Sequence, residues 1–483
     1  MHTLSSLRAG ELAGIKRLDL CCGLTEFPRE IFDLADSLEI LNLSGNALTT
    51  LPDDLPRLHR LRILFCSDND FTRVPEVLGR CANLGMIGFK ANQIEELPAA
   101  ALPEKLRWLI LTDNRLREIP AEIGNCARLQ KLMLAGNQLQ RLPDELAACK
   151  NLELLRIAAN RFEQLPDWLF DMPRLAWLAC SGNPCSDRGE AEALEHLHIA
   201  EVEWHALTLQ HKLGEGASGV IYRAHHHTNG HGKYAPLDDE TCHARFPLPN
   251  PLPQAGRAQR GGRSRANGSL REFHVNDELV AVKMFKGALT SDGLPRSEKA
   301  ASIAAGAHPG LIPVIGKVCE HPEQTPGLVM SLIDSSFRNL AGPPSLDSCT
   351  RDIYPPDLRF TLPVALNIAL GIASVAEHLH ARGIMHGDLY AHNILWNDAG
   401  DCLLGDFGAA SFLPRHDARQ AAALQRIEVR AYACLLEELL DRCDAASGEM
   451  AALHTLQQRC DRAETNLRPP FAEIRSELAK LAV

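Results

Sequence analysis

The sequence predicts an α/β solenoid of stacked short strands followed by an α+β domain, and two observations carry that reading. Asparagines recur at positions 46, 69, 92, 114, 137, 160 and 183, a period of 23 with a single 22. Around each runs the pattern L-x-x-L-x-L-x-x-N-x-L-x-x-L-P, as in the copy from Leu106 to Pro120 with its Asn114. After Trp204 the period is gone. A strand–turn–strand pattern at Leu213–Ile221, a β-branched strand at Leu279–Lys283 and a helical stretch at Glu428–Glu437 take its place.

The repeats come first in the chain. Their spaced leucines point into one shared core, and the asparagine hydrogen-bonds backbone that the turn leaves open. Such copies bury a continuous core only by stacking on their neighbours. The pattern resembles leucine-rich repeats, which implies a curved solenoid with one short strand per copy. A degenerate copy runs from Ile15 to Pro28, with Gly23 in the asparagine position, and the last stops at Asn183-Pro184. The repeat domain is therefore expected over 15–184, with a cap and linker over 185–203.

Side chains alternate along a strand, so two ladders face the concave side. One is Ile40, Ile63, Met86, Trp108, Lys131, Leu154 and Trp177; the other is Asn42, Phe65, Gly88, Ile110, Met133, Arg156 and Ala179. A contiguous apolar patch of this kind is expected to bind a protein partner, with Phe65, Trp108 and Trp177 as anchors. The competing expectation is that the rest of the chain, or a second copy, covers it.

Composition narrows the partners and the compartment. The chain has 483 residues, 45% of them hydrophobic, enough for two domains. A net charge of −11 argues against general nucleic-acid binding. No apolar run is expected to span a membrane, and the N-terminus lacks a charged-then-apolar signal pattern. Cys81, Cys126 and Cys149 each fall three residues before a repeat's first leucine, and Cys66 and Cys180 replace a core leucine. They read as small buried hydrophobes in a reducing, cytoplasmic setting, and no C-x-x-C pair suggests zinc.

The second half carries the chemistry. In His386-Gly387-Asp388-Leu389-Tyr390-Ala391-His392-Asn393 an acid is followed five residues later by an amide, and Asp406-Phe407-Gly408 follows. One carboxylate can accept the proton of an attacking hydroxyl, while Asn393 and Asp406 hold Mg2+ against ATP phosphates. Upstream, Gly214, Gly216 and Gly219 form a G-x-G-x-x-G whose backbone can approach phosphate oxygens. Lys283 ends Leu279-Val280-Ala281-Val282-Lys283, where it can reach the α- and β-phosphates if a carboxylate holds it; Glu298 is the candidate.

Together these motifs resemble a eukaryotic-type protein kinase domain from about Trp204 to the end, in an arrangement of bacterial type. The resemblance implies two lobes with ATP between them: an α/β leucine-rich-repeat solenoid followed by an α+β two-lobed kinase-like domain. It further implies Leu213, Ile221 and Ala281 around the adenine, Met330 as gatekeeper, and Leu467-Arg468-Pro469-Pro470-Phe471 near the penultimate helix.

The departures from that family are equally specific. The arginine usual before the catalytic acid, which receives a phosphate from the activation segment, is Gly387 here. The lysine that serine/threonine kinases keep two residues after the acid is Tyr390, with His392 as a substitute cation nearby. The segment after Gly408 is short and lacks Ala-Pro-Glu, which leaves Arg468 without the family's glutamate partner. Between the second and third kinase strands lies an insertion at about 225–277. It holds His225-His226-His227, a proline run from Pro247 to Pro253 and six arginines, a composition expected to be disordered. The expected function is an ATP- and Mg2+-dependent serine/threonine-type protein kinase, catalytic through Asp388, Lys283, Asn393 and Asp406. The alternatives are a nucleotide-binding scaffold that recruits through its repeats, and a small-molecule phosphotransferase.

Overall fold

The computed structural model describes residues 2–186, 189–191, 199–216, 218–228, 276–287, 289–290, 292–443 and 448–481. A short helix, Leu4–Arg8 (α1), opens it, with Thr3 accepting from the Ser6 N–H as N-cap. Eight three-residue strands follow, one per copy: Arg17–Asp19 (β1), Ile40–Asn42 (β2), Ile63–Phe65 (β3), Met86–Gly88 (β4), Trp108–Ile110 (β5), Lys131–Met133 (β6), Leu154–Arg156 (β7) and Trp177–Ala179 (β8). They pair in parallel and in order, so equivalent residues of successive copies stand side by side.

The sequence pattern explains each part of the copy. The central strand residue and the flanking leucines are fully buried in one continuous core. The periodic asparagine supplies what the turn cannot. Asn137 Nδ2 donates to the carbonyls of Leu111 (2.8 Å) and Leu134 (3.0 Å), and its Oδ1 accepts from the Leu116 N–H (3.0 Å). Each such side chain ties at least three backbone groups that the turn leaves without a partner. The proline that ends a copy presets φ for the 3-10 turn on the convex side, as at Pro75, Pro98, Pro120, Pro143 and Pro166. Cys66, Cys81, Cys126, Cys149 and Cys180 are buried free thiols, and burial pushes Cys126 up to about 11.

The second unit begins with a mixed sheet of Ala200–Glu203 (β9), Leu207–Glu215 (β10), Gly219–Thr228 (β11), Asn276–Phe285 (β12), Val314–Cys319 (β13) and Gly327–Ser331 (β14). Their order is β10-β11-β12-β14-β13-β9. β9, read from sequence as the end of the linker, pairs in parallel with β13 and so belongs to this sheet. β11 and β12 pair through His227↔Asp277 and Thr228↔Asn276. The ends of the expected disordered insertion are therefore strand, and the rest of it, 229–275, lies outside the described residues.

Helix Pro295–Ala305 (α2) packs beside this sheet, with proline in its first turn and Gly306 at φ +64 ending it. The larger lobe is built on Leu362–Ala381 (α3), Ala418–Leu440 (α4), Gly448–Cys460 (α5) and Phe471–Leu481 (α6). Among the described residues α3 alone is long and apolar enough to cross a membrane, a stretch the sequence reading does not expect. Ile368, Ile372, Val375 and Leu379 on it are fully buried in the lobe's core, so its hydrophobicity is explained by packing. α4 starts at Ala418, well before the expected Glu428, with Asp417 accepting from the Gln420 N–H as N-cap.

The two units share their cores. Trp177 and Leu154 from the solenoid lie in the large lobe's apolar cluster. Met385, Leu413, Leu424 and Ile427 from that lobe lie in the solenoid's. Trp177 is only 2% exposed, and Phe65 and Trp108 are half-buried against a loop carrying Leu346 and Cys349. This corrects the expectation that Phe65, Trp108 and Trp177 anchor a separate protein. The chain covers its own concave face from about β3 to β8, with the loop at Leu346 and Cys349 over the earlier strands and the large lobe over Leu154 and Trp177.

One buried acid in the large lobe makes the fold pH-dependent. Glu438 on α4 accepts from the Tyr354 hydroxyl (3.0 Å) and lies 3.3 Å from an Arg351 nitrogen. Burial, reinforced by Asp352, pushes its carboxyl up to about 7. The unfolded value is near 4.3. The stabilisation is therefore complete below the unfolded pKa and is lost as pH rises through about 7. Between pH 5 and 8 the wild type is expected to lose about 2 kcal/mol relative to Glu438→Gln. Parallel denaturation curves check this; parallel stabilities across the range would refute it.

Candidate phosphotransfer site

Local sequence sets each wall of the site. β10 and β11 form a hairpin whose turn brings the Gly216 N–H to the Gly219 carbonyl (2.9 Å). A Cβ on Gly219 would sit 2.5 Å from the Met284 carbonyl oxygen, so the fold itself demands glycine there. Cβ atoms on Gly214 and Gly216 would meet nothing within 4 Å. Those two leave the hairpin's backbone open to a ligand. On β12, Val280 and Val282 are buried on one face, which sends Lys283 to the other beneath the hairpin.

Lys283 is 9% exposed and Glu298, in the first turn of α2, is 3% exposed; Lys283 Nζ donates to Glu298 Oε1. Burial raises the Glu298 carboxyl, against the pull of the ammonium. The sequence-predicted ion pair is thus formed. A cavity of about 300 Å³ is lined by Gly216, Gly219, Ile221, Lys283, Asn393 and Asp406 of the predicted set. Ile312, Leu395 and Asn339, which sequence reasoning missed, line it too. Leu213 is 46% exposed, and Ala281 and Met330 face each other across β12 and β14; these, with Gly214, do not line that cavity.

The catalytic loop connects the strand Ile384–Met385 (β15) to Ile394–Trp396 (β16). Asn393 Nδ2 donates to both the carbonyl and the Oδ2 of Asp388, each at 2.9 Å, which fixes the carboxylate within its own loop. Asp406 has φ +54, and its Oδ1 accepts from the Gly408 N–H at 3.1 Å. This strained backbone turns the carboxylate into the cavity. His392 lines the same cavity and pairs with Asp352 at 2.8 Å. Burial lowers its pKa, but Asp352 more than offsets that, so the net direction is up.

Two partners of the loop, Glu428 and Arg156, were not legible in the sequence as functional. Glu428, buried in α4, accepts from the Gly387 N–H (2.8 Å) and from His380 (2.7 Å). Its only signal is an acid inside the apolar run Ile427–Leu436. Arg156, a member of the second concave ladder, places Nη2 on Asp388 Oδ1, donates from Nη1 to the Gly387 carbonyl (3.1 Å), and has Nε 2.9 Å from Asp292. Burial alone would raise the Asp388 carboxyl, but Arg156, with His392 and His386, holds it below the ordinary range. Tyr390, which stands where a lysine is usual, stacks on Trp177 with centroids 4.1 Å apart. Arg468, without its usual glutamate, donates to the carbonyls of Pro173 (2.7 Å) and Arg426 (3.1 Å).

The residues fit a nucleotide triphosphate with a hard divalent cation. Open glycine backbone and a held lysine suit phosphate oxygens, and an amide with a carboxylate suits an oxygen-seeking metal.

Comparison with known proteins agrees. Residues 265–439 match the model described as protein tyrosine and serine/threonine kinase, a match that begins downstream of the glycine hairpin. Residues 104–162 and 127–184 match one leucine rich repeat model, and 37–58 another. Among curated relatives, mouse leucine-rich repeat and calponin homology domain-containing protein 1 is 33% identical over 23% of this chain and 16% of its own length. The probable inactive serine/threonine-protein kinase roco10 of Dictyostelium discoideum is 33% identical over 23% of this chain and 4% of its own. The DNA damage-responsive serine/threonine-protein kinase RqkA of Deinococcus radiodurans is 29% identical over 32% of this chain and 23% of its own. The chain thus spans less than a quarter of each of these three relatives. It is a leucine-rich-repeat solenoid joined to a domain of the protein tyrosine and serine/threonine kinase family, which implies ATP and a divalent metal as ligands.

Proposed function

We propose that the chain is a cytoplasmic serine/threonine-type protein kinase that uses Mg-ATP. One observation carries this reading: Lys283, Asn393 and Asp406 converge on a single cavity under the glycine hairpin, and Asn393, which lines it, also holds Asp388. Bound Mg-ATP supplies the phosphoryl group and the cation that offsets its charge. Lys283, held by Glu298, orients the phosphates, and Asn393 and Asp406 hold the metal. Asp388, held ionised by Arg156, would orient the acceptor hydroxyl and receive its proton as the hydroxyl oxygen takes the terminal phosphoryl group and the bond to the bridging oxygen breaks, releasing ADP. When protonated, His392 adds positive charge at the cavity wall. A protein partner for the repeats has β1 and β2 and the convex side available to it, because the chain covers the strands beyond them.

The test is incubation of the purified full chain with labelled Mg-ATP, alone and with dephosphorylated casein, beside Asp406→Asn. Label on protein is expected from the wild type, with a loss of at least about a hundredfold in the variant. Nucleotide binding without transfer would sink the reading in favour of a scaffold. Transfer only to small alcohols would make it a small-molecule phosphotransferase.

A further inference from the structure

A carboxylate taken out of water is costly unless a cation and hydrogen bonds compensate it. Asp388 is largely removed from water, its side chain 15% exposed, and the cation in contact with it comes from the repeats. Arg156, on β7, is 2% exposed. Its fork meets Asp388 Oδ1, the Gly387 carbonyl and Asp292, all from the kinase unit. One strand further on, Trp177 donates from Nε1 to the Leu389 carbonyl (3.2 Å) and stacks on Tyr390 with an interplanar angle of 7°. Four successive residues of the catalytic loop, 387 to 390, are therefore gripped by two adjacent solenoid strands.

We propose that Arg156 is a positioning residue of the phosphotransfer site, and that the solenoid fixes the catalytic loop in place of the short segment after Gly408. The inference rests on the reading of Asp388 as the hydroxyl-orienting group. A planar guanidinium suits the task because it can hold a carboxylate oxygen and a carbonyl at once, in fixed geometry. With Oδ1 on Arg156 and Oδ2 on Asn393, the Asp388 carboxylate has little rotational freedom left.

The contact is part of the fold and is not a removable block. Trp177 and Leu154 sit within the large lobe's core. Ala135, Ala158 and Ala179 form a close-packed seam with Ala409, next to Phe407 and Gly408. The Cys180 N–H donates to Ser411 Oγ (3.3 Å) across the same seam. Withdrawing the solenoid would open both cores, far more than the breaking of one ion pair.

The experiment uses full-length wild type, Arg156→Gln, Arg156→Lys and Leu154→Ala, assayed for transfer from labelled ATP and for thermal stability. Leu154→Ala loosens the same interface without touching Asp388. Arg156→Gln is expected to lower kcat on the order of a hundredfold while KM for ATP stays within about twofold. Arg156→Lys is expected to recover part of that loss, and Leu154→Ala to lose comparable Tm with kcat within about twofold. If kcat of Arg156→Gln and Leu154→Ala falls only in step with Tm, Arg156 is merely structural and the proposal fails. A gain in kcat for Arg156→Gln would overturn it by making the contact inhibitory. No transfer by wild type to any acceptor would instead overturn the underlying kinase reading.

Discussion

A chain that begins at residue 199 is expected to lose cooperative folding, and the full-length protein is expected to unfold in one transition. The reason is the shared core. Without the repeats, Met385, Leu413, Leu424 and Ile427 lose the cluster that buries them, and Tyr390 loses its stacking partner. Deleting one large buried aromatic such as Trp177 costs about 3–5 kcal/mol. Domains have about 5–15 kcal/mol of stability in all. Losing a whole face therefore exceeds what the kinase unit can spare. Thermal melts by circular dichroism, with dye binding to report exposed apolar surface, check the expectation. A truncated chain with a sharp melt and no dye signal would refute it, as would two separate transitions in the full chain.

Breaking the Lys283–Glu298 pair from one side is expected to be nearly as damaging. Both groups are almost fully buried, so Glu298→Ala leaves a buried ammonium without its ion-pair partner. Removing one partner of a buried pair costs about 3–5 kcal/mol, whereas replacing both by apolar groups of similar size is often neutral. Glu298→Ala should therefore lower stability by about that amount and weaken nucleotide binding by tenfold or more, since the lysine is no longer aimed. The double variant Lys283→Met with Glu298→Leu should recover the stability and still fail to bind nucleotide. Denaturation and nucleotide titration on the same preparations separate the two effects. Equal stability of the single variant and wild type would show the pair to be solvated.

Period and spacing made much of this legible. The asparagine interval encodes the strand count and register of the solenoid, because each copy must satisfy the same backbone groups in the same way. The ion pair of Lys283 with Glu298, and the convergence of Lys283, Asn393 and Asp406, follow from motifs whose spacing is local to a loop or a hairpin. What sequence alone could not provide is whatever depends on one unit meeting the other. Arg156 stands in a concave ladder like its neighbours, and nothing local marks it as the partner of an acid 232 positions later. Phe65, Trp108 and Trp177 were legible as a patch that needs a cover, but not as one the chain covers itself. Glu428 shows the same limit within one domain. An acid in an apolar helix signals a buried partner without saying which.

The grip of β7 and β8 on the catalytic loop gives the repeat array a phase. Neighbouring strands stand about 4.8 Å apart. Gaining or losing a copy between Arg156 and the junction after Asn183 would carry the guanidinium one full strand away from Asp388. Copies at the far end, β1 and β2, can come and go without disturbing anything near the loop. Length in this solenoid is therefore counted backwards from the kinase unit. The last six strands act as a fixed gauge and the first two as a free end, so drift in copy number should be confined to the N-terminus.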